Sequence, residues 1–125
     1  MNLLLDTHVL LWWLDDNPSL LVKGRRAIAN SQNLIVLSAV VIWEIRIKQA
    51  LGKLAIAPTF YDVVKNEGFA MLSITSDHAH AVGDLPMHHR DPFDRMIIAQ
   101  AKLEGLTVVT HDEVFKKYGI PVLDA

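Results

Sequence analysis

The chain has 125 residues, of which 51% are hydrophobic, carries a formal net charge of −2 and contains no cysteine. This length fits one domain spanning residues 1–125 and leaves no room for a second one. A charge near zero argues against a strongly basic, non-specific nucleic-acid binder, and the absence of cysteine excludes a disulfide framework. Polar residues interrupt every apolar run well before the roughly eighteen residues that a membrane span requires. No basic region or cleavage site marks the N-terminus, so we expect a cytoplasmic protein with no membrane association.

The first half of the chain predicts a strand, two helices, a strand and a helix, in that order: residues 2–5, 7–14, 19–30, 34–37 and 39–51. The turn signal Asp15-Asp16-Asn17-Pro18 ends the first of these helices. Ser38 is a favourable N-cap for the third helix, and Gly52 is a typical stop. The second strand and third helix are therefore expected to follow each other directly.

The second half predicts a helix, a strand, two helices and two strands, the last one weakly marked: residues 58–66, 70–73, 77–83, 92–104, 107–110 and 121–123. The helix at 92–104 is the best marked, because Asp91 is a good N-cap, Pro92 suits the first helical position, and Gly105 suits the end. Alternation of strands and helices indicates an α/β fold. We expect a central, mostly parallel sheet of four to five strands with helices on both faces.

Four acidic residues stand next to apolar sequence rather than on polar faces. Asp6 ends the first strand, and Asp112 comes just after the strand at 107–110. Glu44 interrupts the apolar stripe of its helix, and Asp94 precedes such a stripe. Ligands of parallel α/β sheets bind beyond the carboxyl ends of the strands, so these four acids can meet there.

Carboxylates that converge repel one another unless cations lie between them. Mg²⁺ and Mn²⁺ prefer oxygen ligands, and a pair of such ions activates water for phosphodiester hydrolysis. Each acid also has an ordinary explanation. Asp112 and Asp91 can be N-caps, Asp94 can interact with a helix dipole, and Glu44 can pair with Lys48 on a solvated face. Asp6 has the weakest such explanation, because a charge beside the core is costly without a partner.

Four segments resemble the PIN-domain family and, within it, the VapC-type toxins of type II toxin–antitoxin pairs: LLLDTHVLLWWL, SAVVIWEIRIKQALGKL, HHRDPFDRMIIAQAKLEGLTVVTHD and FKKYGIPVLDA. The resemblance covers essentially the whole chain, and its most specific parts are the DTH and DPFDR motifs. It implies a PIN-like fold and a metal-dependent endoribonuclease. The resemblance places catalytic and metal-binding roles on Asp6, Glu44, Asp94 and Asp112, with Mg²⁺ or Mn²⁺ as cofactor.

The resemblance also implies partners and supporting residues. It implies an RNA substrate, a homodimer, and inhibition by a cognate VapB-like antitoxin. Supporting or substrate-contacting roles fall on five residues near the acids: Thr7, His8, Asp91, Arg95 and Thr110. His8 departs from the family, which often has serine or asparagine there; a hydrogen bond to phosphate or to a water is one role for it. Arg95 is expected to orient a carboxylate, to clamp a phosphate or to form a structural salt bridge.

Other polar and aromatic residues have more than one interpretation. A zinc site at His78 and His80 is disfavoured because two residues of spacing on a helix separates the rings. His88, His89 and Arg90 precede the DPFDR motif, where they either contact RNA phosphate or lie in a solvated loop. Three tryptophans are expected in the core or at a dimer contact, with base stacking as the alternative for one that is exposed: Trp12, Trp13 and Trp43. Two charged pairs are either solvated helix charges or a basic rim for RNA: Arg25-Arg26 and Lys116-Lys117.

Competing functions fit the sequence less well. A phosphoacceptor receiver domain needs a second acid near the first strand and a lysine after a late strand, and the segment TVVTHD has no lysine. A dehalogenase-type phosphatase needs an aspartate two residues after Asp6, where His8 stands. A catalytically inactive PIN fold that acts as a nucleic-acid-binding or interaction module remains the alternative.

Overall fold

The computed structural model describes residues 1–125. Its strands are β1 (Asn2–Leu5), β2 (Leu34–Ser38), β3 (Ala70–Leu72), β4 (Thr107–Thr110) and β5 (Val122–Asp124). Its helices are α1 (Thr7–Leu14), α2 (Val22–Ala29), α3 (Ala39–Ala50), α4 (Phe60–Asn66), α5 (Ser76–Val82) and α6 (Pro92–Glu104). A 3₁₀ helix, Glu113–Tyr118, lies between β4 and β5. The predicted order of elements is confirmed, while the 3₁₀ helix was not predicted.

The sheet has five strands in the order β3-β2-β1-β4-β5, and every neighbouring pair is parallel. Leu3, Leu4 and Leu5 of the central strand β1 are each 0% exposed. Successive residues of a strand point to opposite faces, so both faces of the sheet are covered. The predicted α/β class with a parallel sheet flanked by helices is therefore confirmed. None of the helices has the length and apolar character needed to cross a bilayer.

Local sequence accounts for most helix ends. Asp91 accepts hydrogen bonds from the backbone N–H groups of Phe93 and Asp94, and Gly105 ends α6 with a left-handed backbone at φ 66°. The predicted helix at 19–30 is wrong at its start, because the chain bends at Leu20, which packs into the core, and α2 begins only at Val22. Residues before Phe60 likewise form a turn instead of the first turn of α4.

The central strands position the candidate site. β1 and β4 lie side by side, and both end at the same edge of the sheet. Asp6 follows β1 directly, and Asp112 follows β4 after one intervening residue. The helix α3 starts at that same edge, because Ser38 both ends β2 and caps α3 through its side chain. Acids far apart in the sequence are thereby brought to one place.

Candidate active site

Asp6 is held between the two central strands. Its residue surface is only 5% exposed. One carboxylate oxygen accepts a hydrogen bond from the backbone N–H of Thr7 at 2.7 Å, and the other accepts from Oγ1 of Thr110 at 2.7 Å. Burial nevertheless raises the pKa of Asp6 above its usual value, because these bonds only partly replace water. The carboxylate is fixed in place at an electrostatic cost.

Glu44 lies on α3 beside Asp6 and is 3% exposed. Oγ1 of Thr7 donates a hydrogen bond to Glu44 Oε1 at 2.6 Å, and Lys48 Nζ pairs with Oε2 one turn further along the helix. The hydrogen bond to Glu44 raises the pKa of Lys48. The predicted pair of Glu44 with Lys48 therefore forms, but Glu44 is buried and does not lie on a solvated face.

Asp94 lies in the first turn of α6 and shows that the acids converge. Its pKa is raised to about 8, first by burial and then by the negative charges of four neighbouring acids: Asp6, Asp91, Glu44 and Asp112. The four other acids lie near enough to Asp94 for their charges to act on it, so the five carboxylates share one region of the protein. Asp91 also caps α6, so its capping role and its place beside the cluster coexist.

Asp112 stands at the exposed edge of the same cluster. Its side chain accepts from the backbone N–H of Val114 at 3.0 Å and so caps the 3₁₀ helix. Its own N–H donates to Thr110 Oγ1 at 3.0 Å. Thr110 therefore joins Asp112 to Asp6, as Thr7 joins Asp6 to Glu44. Two threonines thus link Asp6 to the carboxylate of Glu44 and to the backbone N–H of Asp112.

A second chain of hydrogen bonds reaches Asp94 from the other side. Tyr118 Oη accepts from Arg95 Nη1 at 3.2 Å and from the backbone N–H of His89 at 3.3 Å. With both lone pairs occupied, its hydroxyl proton points to His89 Nδ1, which lies 2.7 Å away. The remaining His89 Nε2–H then donates to Asp94 Oδ2 at 3.2 Å. The sequence analysis did not predict this series of hydrogen bonds.

Arg95 differs from its predicted role. Its guanidinium is buried and donates to the backbone carbonyls of Pro86, Val82 and Leu85 as well as to Tyr118, at distances from 2.9 to 3.4 Å. It has no carboxylate partner, and it is not available to a phosphate. Arg95 instead holds the turn after α5 against α6. It reaches the acids only through Tyr118 and His89.

The acidic cluster suits a divalent ion by the type of its donor atoms. The converging donors are all carboxylate oxygens, which suits a hard ion such as Mg²⁺ or Mn²⁺. No three acidic or histidine side chains enclose a point tightly enough to hold an ion alone. Such a set is still compatible with Mg²⁺, because that ion keeps several waters and uses only one or two carboxylates directly. The donor set and the unbalanced negative charge therefore fit the ion.

Other histidines and basic residues lie outside the acidic cluster, and several of them have partners within the fold. His78 is buried and forms a capping box with Thr75, while His80 is exposed, so the two do not form a zinc site. Arg25 pairs with Asp16. Lys116 pairs with Glu113 and Asp124. Ion pairs thus occupy two of the charges considered for a basic rim.

The tryptophans divide between the core and the surface. Trp12 and Trp13 are half-buried and pack against the core, as expected. Trp43 is 57% exposed, and its ring meets Phe93 edge to face at 5.5 Å between centroids. Trp12 also contacts the rings of both His8 and His111. One tryptophan is therefore placed beside the acids.

Comparisons with known proteins agree with this architecture. The family model described as PIN domain matches residues 3–121. VapBC2 from Rickettsia felis, solved with a DNA fragment from its promoter, is similar with a TM-score of 0.75 and 16% identity over 99% of this chain and 98% of that chain. DNA-bound VapBC from Salmonella typhimurium is similar with a TM-score of 0.73 and 21% identity over 99% and 98% of the two chains. VapBC-1 from nontypeable Haemophilus influenzae is similar with a TM-score of 0.69 and 17% identity over 99% of this chain and 98% of that chain. No curated protein matches the sequence.

Proposed function

Because the chain belongs to the PIN-domain family, we propose that it is a Mg²⁺- or Mn²⁺-dependent endoribonuclease and the toxin of a toxin–antitoxin pair. The observation that carries the proposal is the convergence of five carboxylates at one edge of the sheet, expressed in the raised pKa of Asp94. Asp6 and Glu44 are buried, Asp91 and Asp94 are half-buried and Asp112 is exposed. Negative charges placed together in this way destabilise a protein unless a cation compensates them. A purely structural role would not explain why the protein keeps these repelling acids together.

The proposed ligands are Asp6, Glu44, Asp94 and Asp112. Bound there, divalent ions would activate water and neutralise charge that develops on the phosphodiester. Thr7 and Thr110 hold the carboxylates of Asp6 and Glu44 in fixed orientations through the bonds described above. Lys48 offsets the negative charge of Glu44. The charges of the other acids are left for the cation to compensate.

Water is the proposed nucleophile, because the hydroxyl groups that touch the acids are already engaged in hydrogen bonds. The chain has no cysteine. The hydroxyl of Ser38 is buried and caps α3, and the hydroxyls of Thr7 and Thr110 donate to carboxylates. The reaction proposed is therefore direct hydrolysis of an RNA phosphodiester bond.

A cognate VapB-like antitoxin and a second copy of the chain are the proposed protein partners. The similar structures from Rickettsia felis and Salmonella typhimurium are VapBC assemblies. Apolar surface is available for both partners. One depression contains Trp43 and Phe93 between α3, α5 and α6, and another contains Leu54 and Phe60 beside α1. Light scattering of the isolated chain, and co-purification with the product of a short neighbouring gene, test these partners.

Cleavage of RNA by the purified chain tests the activity directly. Labelled RNA is incubated with the parent protein in Mg²⁺, in Mn²⁺ and in chelator, and with Asp6→Asn in the same ions. We expect cleavage by the parent only with an ion present, and a loss on the order of a hundredfold or more in Asp6→Asn. Asp84→Asn, an exposed acid outside the cluster, is the matched control. Parent-like cleavage by Asp6→Asn, or no cleavage by the parent in either ion, would show that the proposal is wrong.

A further inference from the structure

Three aromatic rings form a small wall beside the carboxylates. The ring centroid of His8 lies 5.8 Å from that of Trp12, with planes inclined by 32°. The ring centroid of His111 lies 5.5 Å from that of Trp12, with planes inclined by 73°. His8 and Trp12 are one turn apart on α1, and His111 follows β4 directly. The wall is therefore built on the same two elements that carry Asp6 and Asp112.

The position of His111 is fixed by the backbone. Its Nδ1 lies 3.2 Å from the backbone oxygen of Ala125. A carbonyl oxygen only accepts, so Nδ1 donates, and the ring is held in its orientation toward Trp12. His8 and His111 are both exposed, while Trp12 is half-buried and packs against the core. A rigid tryptophan with two exposed imidazole rings thus faces solvent next to the acids.

A cavity of about 460 Å³ opens between this wall and the acids. Its lining consists of six residues: Asp6, His8, Trp12, His111, Asp112 and Glu113. The volume lies within the range of pockets that hold small organic groups. A group seated against Trp12 would therefore lie directly beside two of the proposed metal ligands.

The lining selects the chemistry of the ligand. It combines aromatic faces with three carboxylates and contains no lysine or arginine. A bare phosphate would meet three carboxylates and only two imidazoles there, whereas a flat, uncharged ring can stack on Trp12. The carboxylates of Asp112 and Glu113 can accept hydrogen bonds from ring N–H or amino groups, as acidic side chains do with cytosine. A nucleobase satisfies both requirements.

We propose that the pocket of His8, Trp12 and His111 binds one unstacked nucleobase of the RNA, next to the phosphodiester that is cleaved. This inference rests on the ribonuclease activity proposed above and adds the position of a specific nucleotide. Only a base that is free of a double helix can enter, so the pocket selects single-stranded segments and loops. His8, at the position where many family members have serine or asparagine, becomes part of the substrate contact.

A binding measurement tests the pocket without cleavage. The full-length Asp94→Asn protein is titrated in Mg²⁺ with a short, labelled single-stranded RNA of mixed sequence. Adding Trp12→Leu, which keeps apolar bulk but removes the aromatic face, is expected to weaken binding about tenfold. Adding Trp12→Phe should restore part of that affinity. The matched control is Trp13→Leu, because the indole of Trp13 donates to Glu67 at 3.2 Å, outside the pocket.

An abasic scan tests the same contact without changing the pocket. Single nucleotides of the RNA are replaced in turn by abasic residues, and each RNA is bound to Asp94→Asn. We expect a loss of about tenfold at one or two adjacent positions, and no further loss at those positions when Trp12→Leu is also present. A shared loss of this kind identifies a direct contact between the base and Trp12.

Three results would overturn the inference. Equal RNA affinity of the Trp12→Leu and Trp13→Leu proteins would do so, as would an abasic scan with no sensitive position. Weakened antitoxin binding with unchanged RNA binding in Trp12→Leu would assign the pocket to the antitoxin instead. Failure of the proposed function itself looks different, because the parent protein would then cleave no RNA in Mg²⁺ or Mn²⁺.

Discussion

Thr110 Oγ1 donates a hydrogen bond to Asp6 Oδ2 at 2.7 Å, although 104 residues separate the two in the chain. The contact joins the ends of the two central strands, and both residues are buried. Thr110 also accepts from the N–H of Asp112, so a single hydroxyl orders two acids. The position of the carboxylates therefore depends on side chains that are not themselves acidic.

Replacing Thr110 with valine should damage both the site and the fold. Val has nearly the same shape, but Asp6 loses one of its two hydrogen bonds in a buried environment, which costs about 1–3 kcal/mol of unfolding free energy. Cleavage should fall by about 10–100-fold, as for other residues that orient metal ligands. Denaturant unfolding and RNA cleavage measure the two effects. Thr107→Val, on the same strand but away from Asp6, is the control, and equal behaviour of the two variants would contradict the prediction.

Asp94→Asn should abolish cleavage and yet stabilise the ion-free protein. The folded-state pKa of Asp94, about 8, lies above the ordinary value of 3.8, so between these pH values the native state holds a proton that the unfolded state has lost. The stability contributed by this group is therefore greatest near pH 4 and falls as pH rises toward 8, by at most about 1.4 kcal/mol per pH unit.

Unfolding of the parent and Asp94→Asn proteins, measured in chelator from pH 5 to 8, checks this prediction. The difference in unfolding free energy should grow with pH in favour of the Asn variant. Asp84→Asn, which removes a charge outside the cluster, should show no such trend. A constant difference between parent and Asp94→Asn across the range would mean that the acids do not repel one another as the structure indicates.

Divalent ions should stabilise the parent protein apart from any effect on activity. An ion that binds only the folded state adds about 2.7 kcal/mol when its concentration is a hundred times its Kd. The gain should be larger at pH 8 than at pH 5.5, because protons compete for the carboxylates at the lower pH. Thermal unfolding with Mg²⁺ or Mn²⁺ measures the shift. An equal shift in Asp6→Asn would place the ion elsewhere.

Tyr118→Phe should reduce cleavage about tenfold while leaving the ions bound. Without the hydroxyl, Nδ1 of His89 loses its donor, and the ring no longer has a single preferred tautomer with Nε2–H toward Asp94. Nitrogen NMR shifts of His89 report this tautomer directly. Tyr61→Phe, which changes an exposed tyrosine on α4, is the control. Unchanged His89 shifts in Tyr118→Phe would remove Tyr118 from the set of positioning residues.

The sequence predicts the fold well because each element carries its own signals. The apolar strands, Asp91-Pro92 at the start of α6 and Gly105 at its end are local features, and the structure agrees with them to within a residue. The start of α2 was missed because burial of Leu20 decides it, and burial depends on the rest of the molecule. Local patterns therefore predict elements better than their exact ends.

The candidate site divides in the same way. The meeting of Asp6 and Asp112 could be predicted, because parallel strands bring their carboxyl ends to the same edge of the sheet. The chain from Arg95 through Tyr118 and His89 to Asp94 could not be predicted, since it depends on the path of the loop before α6 and on a 3₁₀ helix that the sequence did not reveal. Contacts between side chains on separate loops need the three-dimensional arrangement.

The pairing of β1 with β4 also sets when the protein can become active during synthesis. Asp6 is translated early, but its hydrogen-bond partner Thr110 and the acid Asp112 lie beyond residue 106. A nascent chain still lacking β4 cannot assemble the cluster, whatever the rest has folded into. Under the proposed function, cleavage therefore cannot begin until β4 has been made and has paired with β1.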